Sequence, residues 1–382
     1  MRVLLLGEYS NLHYTLACAL RDLGHEVRLV SDGDEWKRYP ADVQLVRRST
    51  RLFDTLAYLI RLAREMRHWK GYDVVQLINP VHFVQLKAER GIRLYDWLRR
   101  HNRRVFLGAF GDDYYHIHNS YVRRPLRYSD FYTPTREVQH AWNQQNIDGW
   151  LNDKDMVRSC QHVAETCDGI IAALYEYYVA YTAVPTLAPK TTFIPLPIAM
   201  STSQRANEST GPLRFFIGIQ RQRSALKGTD ILLKVAQELQ AKYPDRMELV
   251  TAENLPYAEY VRRLEGCDVL LDQIYSYTPA MNALLAMSRG IVVVSGGEEE
   301  QYEILGENEL RPIINTQPEE DDIRRVLEDL ILHPERLPEL RRQSILYVQR
   351  HHEAHKVAAQ YIAFWESNRP SLPREETAPL FS

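Results

Sequence analysis

Short apolar runs of strand length alternate with amphipathic stretches of helical period along this chain. Residues 2–7 (RVLLLG) form the first apolar run, and leucines at helical spacing follow over 12–23. Gly24 ends this predicted helix, and a second apolar run (VRLVS) begins soon afterwards. Strand, helix and strand in this order predict a doubly wound α/β domain, in which helices cover a parallel sheet.

The same pattern restarts after residues 199–212, where serine, threonine, asparagine and glycine replace the apolar periodicity. The strand RFFIGI opens the second half, and predicted helices and strands alternate again from there. We therefore predict two Rossmann-like domains. The predicted parts are a first domain over 1–198, a linker over 199–212, a second domain over 213–345, a C-terminal helix over 346–366 and a polar, disordered tail over 367–382.

Residues 267–300 are predicted to form a strand, a loop, a helix, a second strand and a second loop. Thr278 and Pro279 predict the start of that helix, with Thr278 as its cap. Such a corner presents free backbone N–H groups and the positive end of the helix dipole, which favour a phosphate. Most corners of this kind in α/β domains bind nothing, so this one is weak support when it stands alone.

A basic loop, QRQRSALKG, follows the first strand of the second half. It places Arg221, Arg223 and Lys227 at the carboxyl end of a strand, before a glycine and a helix. Arginine binds phosphate through its planar fork, and lysine binds it as a point charge. Because ligands bind outside the carboxyl ends of strands in open α/β sheets, we expect this loop and the Thr278 corner to converge on one phosphate ligand.

Three groups of polar residues are further candidates, and each has a structural alternative. His13 lies in the first turn of the first predicted helix, where it would face a ligand or the solvent. Asp112 and Asp113 follow a strand, where they would bind hydroxyl groups or cap the next helix. A run of glutamates from Glu298 to Glu300 follows a Gly-Gly turn, where it would accept sugar hydroxyls or form a solvated helix cap.

Two longer stretches depart from the alternating pattern. Residues 47–70 predict a basic amphipathic helix, which either packs its apolar stripe on the domain or contacts anionic lipid or an anionic acceptor. The stripe consists of Leu52, Leu56, Leu59, Ile60 and Ala63. Residues 114–150 are rich in tyrosine, tryptophan, histidine and asparagine, which is typical of a carbohydrate-facing loop and also of a plain insertion.

Composition narrows the class of protein. The net charge of −3 over 382 residues argues against a nucleic-acid binder. The four cysteines show no metal or disulfide spacing, so we expect reduced thiols in a cytoplasmic protein. No G-x-G-x-x-G follows the first strand, which disfavours a nicotinamide or flavin dinucleotide. No apolar run reaches the length of a membrane span, so any membrane contact is expected to be peripheral.

The second half resembles the C-terminal domain of GT-B glycosyltransferases, particularly the family 4 type. KGTDILLKVAQEL is similar to that family's K-G-x-x-x-L-L helix start, and CDVLLDQIYSYTPAMNALLAMSRGIVVVS is similar to its A-D-V-x-x-x-P-S…E-G-F-G-L-P-x-L-E-A-M-A-x-G-x-P-V-V-x-S block. LRDLGHEV resembles the L-x-x-L-G-H-E-V of the partner domain. The resemblance covers residues 1–366 and implies two Rossmann-like domains facing across a cleft, with the last helix crossing back to the first.

The resemblance implies a nucleotide-diphosphate-sugar donor, held mainly by the second domain, with no metal and no other cofactor. The family's Arg/Lys pair on the diphosphate matches Arg223 and Lys227, with Arg221 as a second candidate. The family's helix start would supply backbone N–H groups from Thr278 and Ala280. Cations at this place would stabilise the departing diphosphate.

Three family residues, two glutamates and a histidine, are missing here. The family's paired glutamates match Tyr277 and Leu285 here, and Leu285 cannot hold ribose hydroxyls. Phe110 stands where the first domain often carries a histidine. The resemblance therefore leaves the stereochemical outcome open. Either another carboxylate, such as Glu298 or Glu300, replaces the missing one, or the donor is bound differently. The candidates for contacts with the ribose and the sugar are Tyr277, Gly297, Glu298 and Glu300.

We therefore expect a glycosyltransferase of the hexosyltransferase type and bacterial kind, which builds a polysaccharide or glycolipid in the cytoplasm or at the inner face of the membrane. A glycan or lipid-linked acceptor would enter from the first domain, where His13, Asp112 or Asp113 would act as general base. Two alternatives keep the fold, namely a sugar-nucleotide epimerase and a non-catalytic protein that binds a nucleotide or glycan. A Rossmann oxidoreductase is a distant alternative for want of a glycine fingerprint.

Overall fold

The computed structural model of this chain contains two parallel β-sheets flanked by helices. It describes residues 1–34, 37–201, 211–220, 223–253, 255 and 257–368. Most of the predicted linker over 199–212, nearly all of the predicted tail over 367–382, and the predicted phosphate ligand Arg221 lie outside the described residues.

The chain divides into two compact units, and the first unit comprises Met1–His118, Ile147–Pro197 and the chain from Ala354 onward. Its seven strands are β1 (Arg2–Leu6), β2 (Glu26–Ser31), β3 (Val43–Gln44), β4 (Val74–Leu77), β5 (Val105–Ala109), β6 (Gly169–Ala172) and β7 (Thr191–Phe193). They are all parallel in the order β3-β2-β1-β4-β5-β6-β7. The strand order reverses between β1 and β4, which is the place where a doubly wound sheet binds its ligand.

The helices of the first unit are α1 (Leu12–Asp22), α2 (Leu52–Met66), α3 (Ala88–His101), α4 (Tyr114–Ile117), α6 (Lys154–Thr166), α7 (Tyr175–Thr182) and α15 (Ala354–Ser367), with a π-helical turn at Asp148–Asn152 and a 3₁₀ turn at Ala188–Lys190. The core packs α1 and α15 against the sheet. Leu16 and Leu20 of α1 and Tyr361 and Trp365 of α15 are fully buried together with strand residues such as Leu5. The last helix is thus built into the first unit.

The second unit comprises Asn119–Asn146 and Ile198–Glu353. Its five parallel strands are β8 (Leu213–Ile219), β9 (Met247–Glu253), β10 (Val269–Leu271), β11 (Val292–Ser295) and β12 (Ile313–Asn315), in the order β12-β11-β10-β8-β9. Here the strand order reverses between β8 and β10. The first strand, β8, lies next to both β9 and β10, which is the flavodoxin-like order with its ligand crevice at that reversal.

The helices of the second unit are α5 (Ala141–Ile147, at the boundary), α8 (Ser224–Lys227), α9 (Thr229–Lys242), α10 (Tyr257–Leu264), α11 (Met281–Met287), α12 (Glu299–Leu305), α13 (Glu320–Leu332) and α14 (Leu337–His351), with a π-helical turn starting at His118 and a 3₁₀ turn at Pro334–Arg336. The buried faces of α9 and α13 pack on one side of the sheet around Leu232, Val235, Leu327 and Leu330. The predicted α/β fold with two doubly wound sheets is confirmed.

Residues 119–146, which we call the strap, belong to the second unit. More than fifty residues of chain separate the strap from the rest of that unit, which begins at Ile198. Val138 of the strap packs against the second unit's hydrophobic core. The sequence placed the strap in the first domain with the rest of 1–198. Its aromatic and polar composition has no period, so nothing in it showed which unit it would contact. The predicted helix over 346–366 is likewise two helices, because the α14 segment ends at His351 and α15 begins at Ala354.

Candidate functional site

The two loops that follow β8 and β10 lie against each other at the reversal of strand order in the second unit. The backbone N–H of Ile274, after β10, donates to the carbonyl of Lys227, at the end of α8, at 3.0 Å. Gly228 adopts φ +70°, and a Cβ at this position would come within 2.3 Å of the Ile274 side chain. The predicted basic loop and the predicted helix corner are therefore neighbours, as expected from the positions of their strands.

Arg223 stands at the start of α8, and its side chain reaches the strap. Its guanidinium carbon lies 5.7 Å from the centre of the Trp142 ring, within cation–π distance. The Nε atom of Arg223 is buried and has no acceptor among the residues that the structure describes. Lys227 is half-buried four residues later, in the last turn of the same short helix.

The helix corner begins two residues later than predicted, so the prediction that Thr278 caps it is wrong. Helix α11 starts at Met281 with Ala280 in the N-cap position, and no described side chain caps it. Thr278 is buried in a local turn instead. Its N–H donates to the Ser276 hydroxyl at 3.2 Å, and its carbonyl accepts from that hydroxyl at 2.6 Å. Because serine offers the backbone this local partner, the Thr278 N–H is engaged and does not point to a phosphate.

The candidate ribose carboxylates, Glu298 and Glu300, both bind Arg127 of the strap. The Glu298 side chain is buried, and its two oxygens accept hydrogen bonds from the Tyr128 hydroxyl (2.7 Å), the Gln317 amide (2.8 Å) and the Arg127 guanidinium (2.7 Å). Arg127 also donates to both oxygens of Glu300, at 2.5 and 3.0 Å. These contacts occupy the oxygen atoms that the sequence assigned to ribose hydroxyls.

The hydrogen bonds keep both carboxylates charged. Burial raises the pKa of Glu298, but its hydrogen bonds, including that from Tyr128, outweigh burial and leave the pKa below its ordinary value. The hydrogen bond from Arg127 lowers the pKa of Glu300. The arrangement is a charged clamp between the strap and the loop after β11.

Tyr277 and Gly297 stand beside this clamp. The Tyr277 hydroxyl accepts the backbone N–H of Arg127 at 2.6 Å, its ring lies under the Arg127 guanidinium at 5.0 Å, and its carbonyl accepts from Glu298 N at 3.1 Å. Burial raises the pKa of Tyr277 to about 12, so its hydroxyl stays protonated. The Gly297 N–H donates to the Asn315 side chain at 3.0 Å. Both residues thus support the loop and the strap.

Asp272 is a site candidate that the sequence reading missed. It follows β10 directly, at the reversal of strand order, and only 6% of it is exposed. One carboxylate oxygen accepts from the Asn282 amide at 3.0 Å, and the other is buried without a partner in the described part of the chain. The Tyr260 hydroxyl in turn donates to Asn282 at 2.9 Å. Asp272 follows the apolar residues 269–271 directly, which marks the end of a strand. The sequence prediction instead assigned all of residues 269–274 to one strand.

In the first unit the strand order reverses at β1, and His13 lies in α1, the helix that follows this strand. His13 is fully buried. Its Nδ1 atom is 2.8 Å from the Gly7 carbonyl, and its ring packs edge-on against Phe110 at 6.2 Å. Burial lowers the pKa of His13 to about 4, so the ring is neutral at pH 7. The prediction that His13 faces a ligand or the solvent is therefore wrong, because its side chain is buried against the Gly7 carbonyl and the Phe110 ring.

Glu8, beside His13, is a second residue that the sequence reading missed. Its carboxylate accepts the backbone N–H groups of His13 (3.2 Å) and Tyr14 (2.8 Å) at the start of α1, and only 2% of the residue is exposed. The two hydrogen bonds lower the pKa of Glu8, but burial raises it more, and the pKa is about 8 as a result. Glu8 directly follows the glycine that ends the first apolar run, which was its only signal in the sequence.

Asp112 and Asp113, after β5, take different roles. Asp113 is fully buried and caps α4, since its carboxylate accepts from His116 N at 2.9 Å and from the Tyr181 hydroxyl at 2.6 Å. Burial raises its pKa to about 6. The helix-cap alternative therefore describes Asp113. Asp112 remains partly exposed, with one oxygen 3.7 Å from the His116 ring nitrogen.

A small recess in the first unit lies at the carboxyl ends of β1 and β2, beside residues 82–85, which follow β4. Its polar lining includes Ser31, Asp32 and Gln85. The Gln85 amide donates to Asp32 at 2.8 Å. The recess has room for about one water molecule, so it is much smaller than the pocket of a sugar ligand.

Helix α2 presents an apolar face to the solvent. Leu52 is 78% exposed, Phe53 85%, Leu56 53% and Ile60 45%, while the buried residues of the helix are Tyr58 and Leu62. The interpretation that the predicted stripe packs on the domain is therefore wrong for Leu52, Leu56 and Ile60. No helix among the described residues is long and apolar enough to span a bilayer.

The charges around that face are positive. Both acids of α2 have partners within the first unit, because Asp54 accepts from the Ser49 hydroxyl and Glu65 pairs with Arg28. Arg51, Arg64 and Arg67, by contrast, are exposed. The exposed surface of α2 therefore combines apolar side chains with arginines.

No family model matches the chain, and no curated protein matches it in sequence. Sucrose-phosphate synthase from Thermosynechococcus elongatus is similar in structure with a TM-score of 0.61 at 12% identity, over 96% of this chain and 98% of that one. Anabaena HepE in complex with UDP and glucose gives a TM-score of 0.58 at 11% identity, over 96% and 99%.

UDP-GlcNAc 2-epimerase from Neisseria meningitidis, bound to UDP-GlcNAc, gives a TM-score of 0.50 at 11% identity, over 96% of this chain and 100% of that one. At such identities the similarity concerns the fold, and it extends over nearly the whole chain. This protein therefore has the fold of the GT-B glycosyltransferases, with two doubly wound Rossmann-like units.

Proposed function

We propose that this protein is a glycosyltransferase that moves a sugar from a nucleoside-diphosphate sugar to a glycan or lipid-linked acceptor, without a metal. The observation that carries the proposal is the meeting of the Arg223–Lys227 loop with the loop after β10, at the reversal of strand order in the second unit. Two cationic residues therefore stand at the reversal of strand order, where open α/β sheets bind their ligands, and they would suit a diphosphate there.

The similar structures support a uridine nucleotide as the first donor to test. HepE is described in complex with UDP and glucose, and the epimerase in complex with UDP-GlcNAc. In the proposed reaction the acceptor hydroxyl loses its proton to a general base, its oxygen attacks the anomeric carbon, and the bond from that carbon to the diphosphate breaks. Arg223 and Lys227 would stabilise the negative charge on the departing nucleoside diphosphate.

Asp112 is the residue that we propose as the general base. His13 and Asp113 are buried, whereas Asp112 is partly exposed and lies near His116. A carboxylate in this setting can take a proton from an acceptor hydroxyl that reaches it. The acceptor would enter from the first unit, beside Asp112.

The experiment that tests the proposal compares Arg223→Ala/Lys227→Ala with the wild type. Thermal shift with UDP, GDP, ADP, CMP and their sugar conjugates should reveal one preferred donor, because a ligand at a hundred times its Kd adds about 2.7 kcal/mol of stability. The double variant should lose that shift, and donor turnover should fall by about two orders of magnitude.

A charge-matched control is Arg324→Ala/Lys234→Ala, which removes one arginine and one lysine from exposed ion pairs on α13 and α9. This control should keep the donor shift of the wild type. Wild-type turnover in the Arg223→Ala/Lys227→Ala variant would contradict the diphosphate assignment. Donor binding without turnover over a broad acceptor set would favour a non-catalytic protein.

A sugar-nucleotide epimerase is the second candidate, since one similar structure is such an enzyme. An epimerase converts its sugar nucleotide without an acceptor. Product analysis after incubation with the preferred donor alone therefore separates the two reactions. A changed sugar configuration with no acceptor present would replace the transferase proposal.

We also propose that α2 binds an anionic membrane surface, which would bring the protein to lipid-linked acceptors. The carrying observation is the exposed apolar face of Leu52, Phe53, Leu56 and Ile60, beside exposed arginines. Such a helix buries its apolar side chains at the headgroup boundary while its cations bind anionic lipid. The protein would then act at the inner face of the cell membrane.

A further inference from the structure

The strap lies over the carboxyl edge of the second sheet. The strap contacts the loops that follow four of the five strands of this sheet. Trp142 meets Arg223 after β8, and Arg136 reaches the Tyr275 hydroxyl after β10 at 3.4 Å. Arg127 binds Glu298 after β11, and Thr135 donates to Glu319 after β12 at 2.7 Å. A ligand at this edge must therefore lie beside the strap.

Two N–H donors at this edge are buried without an acceptor in the described part of the chain. One is Nε of Arg223, and the other is Nε1 of the Trp142 indole. The two groups are adjacent, since the guanidinium lies 5.7 Å from the indole ring centre. Buried N–H groups are hydrogen-bonded in the large majority of cases. A pair of unmatched donors, one of them charged, indicates an oxygen-rich anion as the missing partner.

We propose that Trp142 belongs to the diphosphate site and that its indole N–H, together with Nε of Arg223, donates to phosphate oxygens of the nucleotide. This inference rests on the proposed function and adds a ligand contact from the first half of the chain. The ring of Trp142 also fixes the guanidinium by cation–π contact, so that its planar fork is oriented before the ligand binds.

Arg127 is the positioning residue of this arrangement. Its guanidinium bridges Glu298 and Glu300, and its backbone N–H binds the Tyr277 hydroxyl. The clamp ties the strap to the loop after β11, fifteen residues before Trp142 in the chain. The carboxylates that would otherwise meet the ribose thus hold the strap against the sheet edge.

The test is isothermal titration of the full-length protein with UDP, with GDP and ADP in parallel, and with inorganic pyrophosphate. Trp142→Phe keeps a six-membered aromatic ring but removes the N–H group together with the rest of the five-membered ring, so binding of uridine reports the effect of the lost packing and binding of pyrophosphate reports the lost donor. Because a hydrogen bond to a charged group contributes about a tenfold to hundredfold factor in affinity, Trp142→Phe should weaken diphosphate and pyrophosphate binding by at least tenfold. Uridine, which has no phosphate, should show no change.

Trp97→Phe is the matched control, because Trp97 stacks on His101 in the first unit and removing its N–H should leave UDP affinity unchanged. Equal UDP affinity in Trp142→Phe and the wild type would overturn the inference while leaving the proposed donor intact. Absence of binding by the wild type to every nucleoside diphosphate would instead overturn the proposed function. The two failures are therefore distinguishable.

Discussion

At the scale of the residue, the end of β1 holds two titratable side chains in their uncharged forms. Burial raises the pKa of Glu8 to about 8 and lowers that of His13 to about 4. The backbone N–H of His13 donates to Glu8, so the two residues share one site at the start of α1. At pH 7 this site carries little charge, and its protonation state connects folding to pH.

Glu8 should make the protein less stable as pH rises through the neutral range. In the unfolded chain Glu8 loses its proton near 4.5, whereas the folded protein retains it until about 8. Between these values the folded state binds more protons, so its stability is full below 4.5 and falls towards pH 8. The difference in pKa sets an upper limit of about 5 kcal/mol on this effect.

Glu8→Gln cannot ionise, and its melting temperature should fall less than that of the wild type between pH 5 and pH 8. Thermal unfolding of both proteins at several pH values in this range measures the difference. Glu26→Gln, which changes an exposed glutamate at the start of β2, should keep the wild-type slope. A Glu8→Gln slope equal to that of the wild type would show that Glu8 ionises normally in the folded protein.

Among the candidate site residues, the sequence predicted those positions that depend on where a strand ends. Arg223 and Lys227 lie in the loop and short helix after β8, as predicted, because they follow the first strand of a parallel sheet. The prediction failed for His13, whose side chain is buried, since one sequence does not show which way a helix start faces. For Asp113 the predicted helix-cap alternative was right. Asp272 and Glu8 were missed because each is a single polar residue at the end of an apolar run.

At the scale of the element, strands and most helices follow from periodicity, because apolar runs must be buried in a parallel sheet. Helix α2 is the instructive exception. Its apolar stripe predicted a buried face, and the structure buries Tyr58 and Leu62 instead, leaving Leu52, Leu56 and Ile60 exposed. Periodicity identifies an amphipathic helix but does not identify what its apolar face contacts.

The membrane proposal for α2 predicts binding to vesicles that contain anionic lipid and weak binding to neutral vesicles. Each apolar side chain that leaves water contributes about 1.5–3 kcal/mol when fully buried, and each arginine near the surface contributes about 1 kcal/mol. Replacing Leu52, Phe53, Leu56 and Ile60 by serine should therefore reduce vesicle binding more than tenfold in a co-sedimentation assay.

Leu23→Ser/Leu332→Ser is the control for this assay, because both leucines are exposed and neither lies on α2. The control should sediment with anionic vesicles as the wild type does. High salt should release the wild type in part, since it screens the arginines. Equal vesicle binding by the four-serine variant would contradict the assignment of α2.

At the scale of the whole molecule, the second unit is assembled from two separate pieces of chain. The strap contributes Val138 to its hydrophobic packing and Arg127 to its charged clamp. A fragment of residues 198–353 lacks both. We expect this fragment to be unstable, because Glu298 would be left with fewer partners and an apolar surface would meet water.

A synthetic peptide of residues 119–146 should raise the melting temperature of the 198–353 fragment when added in excess, since it binds the folded state. A scrambled peptide of the same composition is the control. Thermal unfolding monitored by circular dichroism gives the measurement. A fragment that melts at the same temperature with either peptide would show that the strap contributes no stability to the second unit.

The division of the second unit between distant pieces also has a consequence for biosynthesis. Arg127 and its partner Glu298 are 171 residues apart, so at about 5–20 residues per second the ribosome makes the partner about 9–34 s after the strap. The delay is longer in the first unit, because the Trp365 indole donates to Gln76, which lies 289 residues earlier in the chain. The second unit can be completed only after Glu353 has been made, and the first only after α15 has been made. The nascent protein therefore emerges with its strap and its first sheet unfinished, and it is expected to depend on chaperones until the last helix leaves the ribosome.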